Sequence, residues 1–354
     1  MTTKVITSKD IQVICDTIGL DKIMQILIQR MLEAFNSFDK MKTTIPVRSG
    51  FNYKIPVNGL IEWMPLHDLG EQIVIKLVGY HPENPVSFDL PTILSNISIY
   101  NINNGHLECL MDGGLPTALR TGAASAVATE ILSDENSEVL GLIGCGAQAI
   151  TQFHALHQIR TIKKVLFYDI DEPTMKLFPE HCDSFEHDCI LVESTIEDIL
   201  NGSDIICTAT SIAQHEGPLF KDFKVKDHVH INAVGSDFPG KTEIPYNLLS
   251  SCYVVPDFKE QAEIEGESQQ LSEAQIGYEL EHVVKNRNQF KGYQQRKTVF
   301  DSTGYPLEDK VVAEMFLEFA NSMNIGLEIE LECNFDNSKN PYSFVKSYVP
   351  LPSK

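Results

Sequence analysis

The chain has 354 residues, enough for two hydrophobic cores, and its 43% hydrophobic and 22% charged content is that of a soluble globular protein. A net charge of −21 with a pI near 4.9 argues against nucleic acid or an anionic membrane surface as partner, since both attract basic patches. Eight cysteines without a C-x-x-C pair give no zinc or redox motif, so no metal is expected, and a reducing cytoplasm is the default compartment. Residues 1–10 lack the apolar core of a signal peptide, and no apolar run approaches membrane-spanning length.

In chain order, residues 8–18 read as a short helix behind a Ser cap. Residues 21–35 read as a stronger one, with Ile23, Met24, Leu27, Met31, Leu32 and Phe35 on a broad apolar stripe. From Thr44 to about Leu110 the texture changes to short β-type runs, clearest at 44–48, 59–64, 72–78 and 95–100. Turn residues at 81–85 and 103–105 separate them, and a mostly β N-terminal domain is predicted. Cations sit in its apolar runs at Arg48 and Lys76, and Arg120 follows in a small-residue segment, 115–129, that reads as a helix packed closely on a neighbour. Buried cations need anionic partners, and a substrate carboxylate is one candidate, which Arg meets with a two-pronged fork. For Lys76 an outward strand face is the competing reading, and Glu62 before Trp63 has the same ambiguity.

The most informative stretch follows. The apolar run Val139-Leu-Gly-Leu-Ile143 ends in Gly144-Cys-Gly146-Ala147-Gln148-Ala149, the G-x-G-x-x-G/A form of the dinucleotide-binding turn. Gly144 allows the tight turn, Gly146 lets backbone N–H groups approach a pyrophosphate, and Ala149 lets the next helix sit close to the sheet. The pyrophosphate would rest on that helix's N-terminus, where unpaired N–H groups and the dipole favour negative charge. Residues 150–159 read as the helix and 164–169 as the next strand, which ends in Asp169, placed to accept hydrogen bonds from the adenosine ribose. No Arg follows Asp169 closely, which favours NAD over NADP.

Further strands are read at 204–208, 229–234, 252–255 and 298–300, with helical spacers between the earlier ones giving the βαβ rhythm of a parallel sheet. The predicted class is therefore α/β. A Rossmann-type parallel-sheet domain, 126–305, joins a mostly β substrate-binding and dimerisation domain, 1–125, completed by 306–354. An apolar-striped helix is read at 308–323. Ligands of open α/β sheets bind beyond the carboxyl ends of the strands. Residues 232–241 lie at such an end and put Asp237 in a Gly/Pro-bounded loop within reach of a nicotinamide, although a loop aspartate that merely caps a turn is an equal reading. The acidic run 257–271 reads as a solvated face, and His81, His106, His154 and His230 as structural.

These pieces together resemble the ornithine cyclodeaminase/mu-crystallin family, and within it the bacterial ornithine cyclodeaminase branch. The resemblance rests on Glu62-Trp-Met-Pro65, Lys76 with His81-Pro82, Thr117-Ala-Leu-Arg-Thr121, Gly144-Cys-Gly-Ala-Gln148, residues 232–243, residues 265–271 and Phe300-Asp-Ser-Thr-Gly304, and it runs in order to about Phe319. It implies that Arg48, Lys76 and Arg120 hold a substrate α-carboxylate, that Glu62 and Thr92 line the pocket, and that Asp237 binds the distal amine and handles protons. It also implies that Asp169 and the Gly144–Gln148 loop, including Gly146 and Ala147, hold NAD, with Thr121, Ala233 and Val234 near phosphate and nicotinamide. The implied reaction converts L-ornithine to L-proline and ammonia: transient oxidation at Cα, ring closure by the distal amine, and return of the electrons. The implied partners are a basic amino acid and a second copy of the chain in a homodimer. Lysine cyclodeaminase, a net amino-acid dehydrogenase, a cyclic ketimine reductase and a non-catalytic crystallin-like binding protein are the alternatives. Two departures matter: Ser236 stands where the family more often has Gly, and Gly79-Tyr80 where it more often has Asn-Gly, and Ser236 and Tyr80 are expected to narrow or polarise the pocket.

Overall fold

The computed structural model describes residues 1–221, 224–333 and 335–345. Two sheets organise it. The first is built from β1 (Thr3–Ile6), β2 (Thr43–Thr44), β3 (Ser49–Tyr53), β4 (Gly59–Asp68), β5 (Gln72–Tyr80), β6 (Ile93–Asn101), β7 (Leu107–Asp112) and β15 (Leu327–Ile329). Its order is β15-β1-β7-β6-β5-β4-β2, with β3 paired to β4, and all pairs are antiparallel except β1–β7. The second holds β8 (Val139–Ile143), β9 (Lys164–Tyr168), β10 (Ile190–Glu193), β11 (Ile205–Thr208), β12 (His230–Ala233), β13 (Tyr253–Pro256) and β14 (Thr298–Asp301). It is parallel throughout, in the order β10-β9-β8-β11-β12-β14-β13. The order turns back between β8 and β11, which opens a crevice at their carboxyl ends.

The helices are α1 (Ser8–Ile18), α2 (Leu20–Ser37), α3 (Asn84–Ser87), α4 (Gly114–Leu132), α5 (Ala147–His157), α6 (Glu172–Cys182), α7 (Ile196–Gly202), α8 (Tyr246–Leu249), α9 (Lys259–Glu265), α10 (Leu280–Lys285) and α11 (Pro306–Met323). One core joins α1, α2, α4 and α11 to the inner face of β4–β7, and two smaller cores cover the faces of the parallel sheet. α4 connects the two halves and is buried almost all round. At Gly122 a Cβ would stand 2.4 Å from the Thr151 carbonyl of α5, so close approach of these helices requires glycine.

The expected α/β class is what is found, with differences at particular elements. Thr7, not Ser8, caps α1: its side chain accepts from Asp10 N–H and the Asp10 carboxylate answers in a capping box. Of the strand expected at 44–48, only Thr43–Thr44 pairs; Pro46 has no N–H to give a ladder, and Arg48 stands in the open segment before β3. α5 starts at Ala147 rather than 150, directly behind the glycine turn, and α11 starts at Pro306.

Alternation along β4 and β5 decides the site. Glu62, Met64 and Leu66 on β4 and Val74 and Lys76 on β5 point inward, with Met64 opposite Lys76. Phe51, Ile61, Trp63, Leu77 and Leu94 share the outer face; Phe51, Leu77 and Leu94 are exposed, and Phe51 meets Trp63 edge-on at 5.7 Å.

Candidate active site

Lys76 is 1% exposed, so the outward-facing reading of this residue is overturned. Its ammonium lies 2.8 Å from Asp309 Oδ1, and the same oxygen is 3.1 Å from Arg120 Nε. Arg120, from α4, also donates through Nη1 to Glu308 Oε2 at 2.6 Å. Glu308 and Asp309 occupy the first turn of α11, where the helix dipole favours carboxylates. Burial, followed by the neighbouring Arg120 charge, pulls the Lys76 ammonium down to about 8. Burial pushes Glu308 up to about 8, against the pull of Arg120.

Arg48 completes the cationic group. Its Nη2 is 2.6 Å from Glu265 Oε1 and donates to the Thr303 carbonyl, and its Nη1 is 3.6 Å from Glu62 Oε2. Burial raises Glu62, and raises Glu265 to about 8, more than Arg48 lowers them. Arg48 Nε–H is left without a hydrogen-bond partner, and Arg120 Nε–H, though 3.1 Å from Asp309 Oδ1, is not aligned with it. Unanswered buried donors of this kind mark where an acceptor from a ligand belongs. Gly304, at φ +93°, closes the wall; a Cβ there would come 2.9 Å from Arg120 Nη2.

Asp237 lies in the loop after β12 with its side chain 42% exposed, and Oδ1 accepts from Lys241 Nζ at 2.7 Å. Its negative charge is felt at Glu62 and Glu265, which places the loop beside the cationic group. Lys241 Nζ sits 5.9 Å over the Tyr80 ring, so Tyr80 does flank the pocket. Ser236 does not. It is fully buried, and its hydroxyl donates to the Lys241 carbonyl at 2.6 Å, closing the loop on itself from below. Thr92 stands at the same end of β5 as Tyr80, where its carbonyl accepts the His81 N–H.

The run 257–271 is a solvated face only in part, at Glu260 and Glu263. Asp257, Gln261, Glu265, Glu267 and Ser268 are buried, and their polar atoms hold the site together. Asp257 takes the Gly304 N–H at 2.7 Å and the Thr303 hydroxyl at 3.0 Å. Glu267 takes the Glu243 N–H at 2.6 Å, and Glu243 in turn binds Thr210 N–H at 2.8 Å and Gly235 N–H at 3.0 Å. Sequence reasoning missed Glu265, Glu308, Asp309 and Glu243. For Glu308 and Asp309 the signal was present but ambiguous, because acids in a first helical turn are commonplace.

The glycine turn has the shape a dinucleotide needs. Gly144 has φ +97°, and a Cβ there would fall 2.5 Å from the Ala209 carbonyl. At Gly146 the same construction meets nothing within 4 Å, which leaves the α5 N-terminus open to a pyrophosphate. Asp169 ends β9 with Oδ2 accepting Cys145 N–H at 2.7 Å, so the acid lies against the turn. Asp171 and Glu172 follow it, and acids there would repel a 2′-phosphate. Thr121, in α4, Ala233, which ends β12, and Val234, just after it, are buried. The residues present fit NAD.

Parallel sheet and glycine turn define a dinucleotide-binding α/β protein, and it carries a buried cluster of paired charges. The chain belongs to the ornithine cyclodeaminase/mu-crystallin family, whose model matches residues 8–324. An L-lysine cyclodeaminase of Streptomyces rapamycinicus is 34% identical over 349 residues, 97% of this chain and 100% of its own length. A solved lysine cyclodeaminase, described by its recognition of L-lysine, L-ornithine and L-2,4-diaminobutyric acid, superposes with a TM-score of 0.93 at 39% identity, over 97% of this chain and 99% of that one. An archaeal alanine dehydrogenase dimer with bound NAD superposes with a TM-score of 0.82 at 29% identity, over 94% and 100%.

Proposed function

We propose that this chain is an NAD-dependent cyclodeaminase of a basic L-amino acid, L-ornithine or L-lysine, releasing ammonia and the corresponding cyclic amino acid. The observation that carries the reading is the pairing of two chemistries in one pocket. The buried Arg48 Nε–H has no hydrogen-bond partner and Arg120 Nε–H meets Asp309 only as an ion pair, so both can turn to a carboxylate, and a half-exposed carboxylate in the neighbouring loop already holds an ammonium, that of Lys241. A diamino acid presents those two groups at its two ends.

In this reading Arg48, Lys76 and Arg120 hold the α-carboxylate, with Glu62 and Thr92 at the pocket wall. Residues 144–148 receive the pyrophosphate, Asp169 the ribose, and Thr121, Ala233 and Val234 the nicotinamide end. NAD held there would supply a hydride acceptor for Cα and a donor for the last step, so the cycle would have no net redox change. Asp237 accepts the proton of the distal ammonium, the freed lone pair attacks the oxidised Cα and opens its C=N π bond, and the α-nitrogen then takes a proton from the new ring nitrogen and leaves as ammonia as its bond to Cα breaks. That attack is intramolecular and gains the effective molarity of a tethered nucleophile. The exposure of Asp237 gives its proton a route to solvent. Residues 1–125 with 306–354 would carry the substrate, and 126–305 the cofactor. The exposed apolar row Phe51, Leu77 and Leu94 supports a homodimer joined through the first sheet.

The test supplies catalytic NAD with ornithine and with lysine in parallel and in competition. Ammonia and cyclic product in equal amounts, without net reduced cofactor, support the reading. Stoichiometric reduced-nicotinamide absorbance would instead indicate a net dehydrogenase, the activity named for the archaeal relative.

A further inference from the structure

Away from the crevice, a second group of polar side chains converges. His157 ends α5, and Asp188 and Cys189 lie just ahead of β10; an imidazole nitrogen, a carboxylate oxygen and a thiol sulfur lie within 4.8 Å of one another. We propose that His157, Asp188 and Cys189 form a binding site for a thiophilic divalent cation of the zinc class. The distance between the two softer ligands carries the argument. A tetrahedral ion with metal–nitrogen bonds of about 2.0–2.1 Å and metal–sulfur bonds of about 2.3 Å holds its N and S ligands roughly 3.5–3.6 Å apart. His157 Nδ1 and Cys189 Sγ are 3.6 Å apart, in hydrogen-bond contact, which is already the N···S separation such an ion requires.

The surroundings agree. Imidazole with thiolate selects zinc or cobalt over magnesium or calcium, which prefer all-oxygen sites. His157 lies in the last turn of α5, where the free carbonyls favour a cation. The neighbouring His187, packed against Phe153 at 5.0 Å and Phe185 at 5.5 Å, has a buried Nδ1 with no hydrogen-bond partner. It is near enough for its charge to act on His157, so a second imidazole stands next to the three ligands. Water completes the fourth position.

Binding has a definite proton balance. The Cys189 thiol donates to the Ile162 carbonyl at 3.0 Å, and burial pushes it up to about 11. As the sulfur–metal bond forms, the S–H bond breaks and one proton leaves to solvent. The site sits at the far end of α5 from the glycine turn, about 16 Å away at 1.5 Å per residue, so it ties α5 to the outer strand β10 without touching the catalytic pocket. Thirty-two positions separate the two principal ligands, a spacing that matches no short metal motif.

The experiment titrates the full-length, NAD-loaded protein with Co²⁺ as probe and follows the near-ultraviolet sulfur-to-cobalt charge-transfer band. One equivalent should produce the band. Cys189→Ser should abolish it, and Asp188→Asn, at an exposed position where folding is not at stake, should weaken cobalt affinity at least tenfold. Cys333→Ser, at the exposed cysteine, should leave it unchanged. Absence of a band at one equivalent overturns the proposal, as does its survival in Cys189→Ser, its loss in Cys333→Ser, or unchanged affinity in Asp188→Asn.

Discussion

Asp309→Asn tests the link between the buried charges and substrate binding. Asp309 is the hydrogen-bonded counterion of Lys76, and both side chains are 1% exposed. Removing one partner of a buried pair ordinarily costs about 3–5 kcal/mol, because the other charge is stranded. Lys76 has an escape. Its ammonium is already held near 8 rather than 10.5, a penalty of about 3 kcal/mol at about 1.4 kcal/mol per unit, so loss of a proton at pH 7 adds only ~1 kcal/mol. Arg120 keeps Glu308 at 2.6 Å. The variant should therefore fold, with a stability loss on the order of 1–2 kcal/mol by urea unfolding. Activity should fare worse, since a neutral amine cannot pair with a carboxylate. In the wild type, kcat/KM should fall as pH rises through about 8, where free-enzyme Lys76 loses its proton. In Asp309→Asn that limb should move below neutrality, lowering kcat/KM at pH 7.5 by at least about threefold, since the charged form of Lys76 then becomes the minor one. The assay is ammonia release against pH from 5.5 to 9.5. A limb that stays near 8 in the variant would refute the reasoning, and a loss of 4 kcal/mol or more would show that Lys76 keeps its proton when stranded.

Asp237→Asn should lose about a hundredfold or more in turnover, the scale of a positioned acid–base group, while NAD binding measured by fluorescence titration stays within twofold; near wild-type turnover removes Asp237 from the chemistry. Gly304→Ala should destabilise by about 1–3 kcal/mol, from the left-handed backbone at φ +93° and the approach to Arg120, and should raise KM more than it lowers kcat. An unchanged Tm and KM would show that Arg120 gives way freely. Glu265→Gln should alter the pH dependence of stability. Burial raises the Glu265 carboxyl from 4.5 to about 8, so between those values the folded state holds a proton that the unfolded state has released, and stability falls with rising pH. Replacing Glu265 removes that fall, so urea unfolding at pH 5 and pH 8 should show the variant gaining on the wild type by up to ~1.4 kcal/mol per pH unit. A pH-independent difference places the Glu265 proton elsewhere.

How far the sequence reveals this molecule depends on the range of each interaction. Residues 139–149 declare a strand, a turn and a helix start because each glycine answers a local steric demand, and Gly144 indeed has φ +97°. The inward direction of Lys76 was not legible. Period-two alternation says that Lys76 shares a face with Val74, but not that this face would be roofed by α11, more than two hundred residues later. The acidic run 257–271 misled for the same reason. Carboxylates so dense normally stay in water, as Glu260 and Glu263 do, yet Asp257 and Glu267 are matched by backbone N–H groups from other loops, those of Gly304 and Glu243, and Glu265 by the Arg48 guanidinium. Asp301 extends the pattern, accepting from the Glu267 and Ser268 N–H groups at 2.8 and 2.7 Å. Composition cannot count such donors, since they exist only once strand ends converge. The carboxyl edge of a parallel sheet is where backbone donors are left over, and it is also where cofactor and substrate must meet. Buried acids there serve as ties between loops, and the loop carrying Asp237 is held by them through Glu243 and Gly235. The residues hardest to read from the sequence are thus the ones that set the aim of the residues easiest to read.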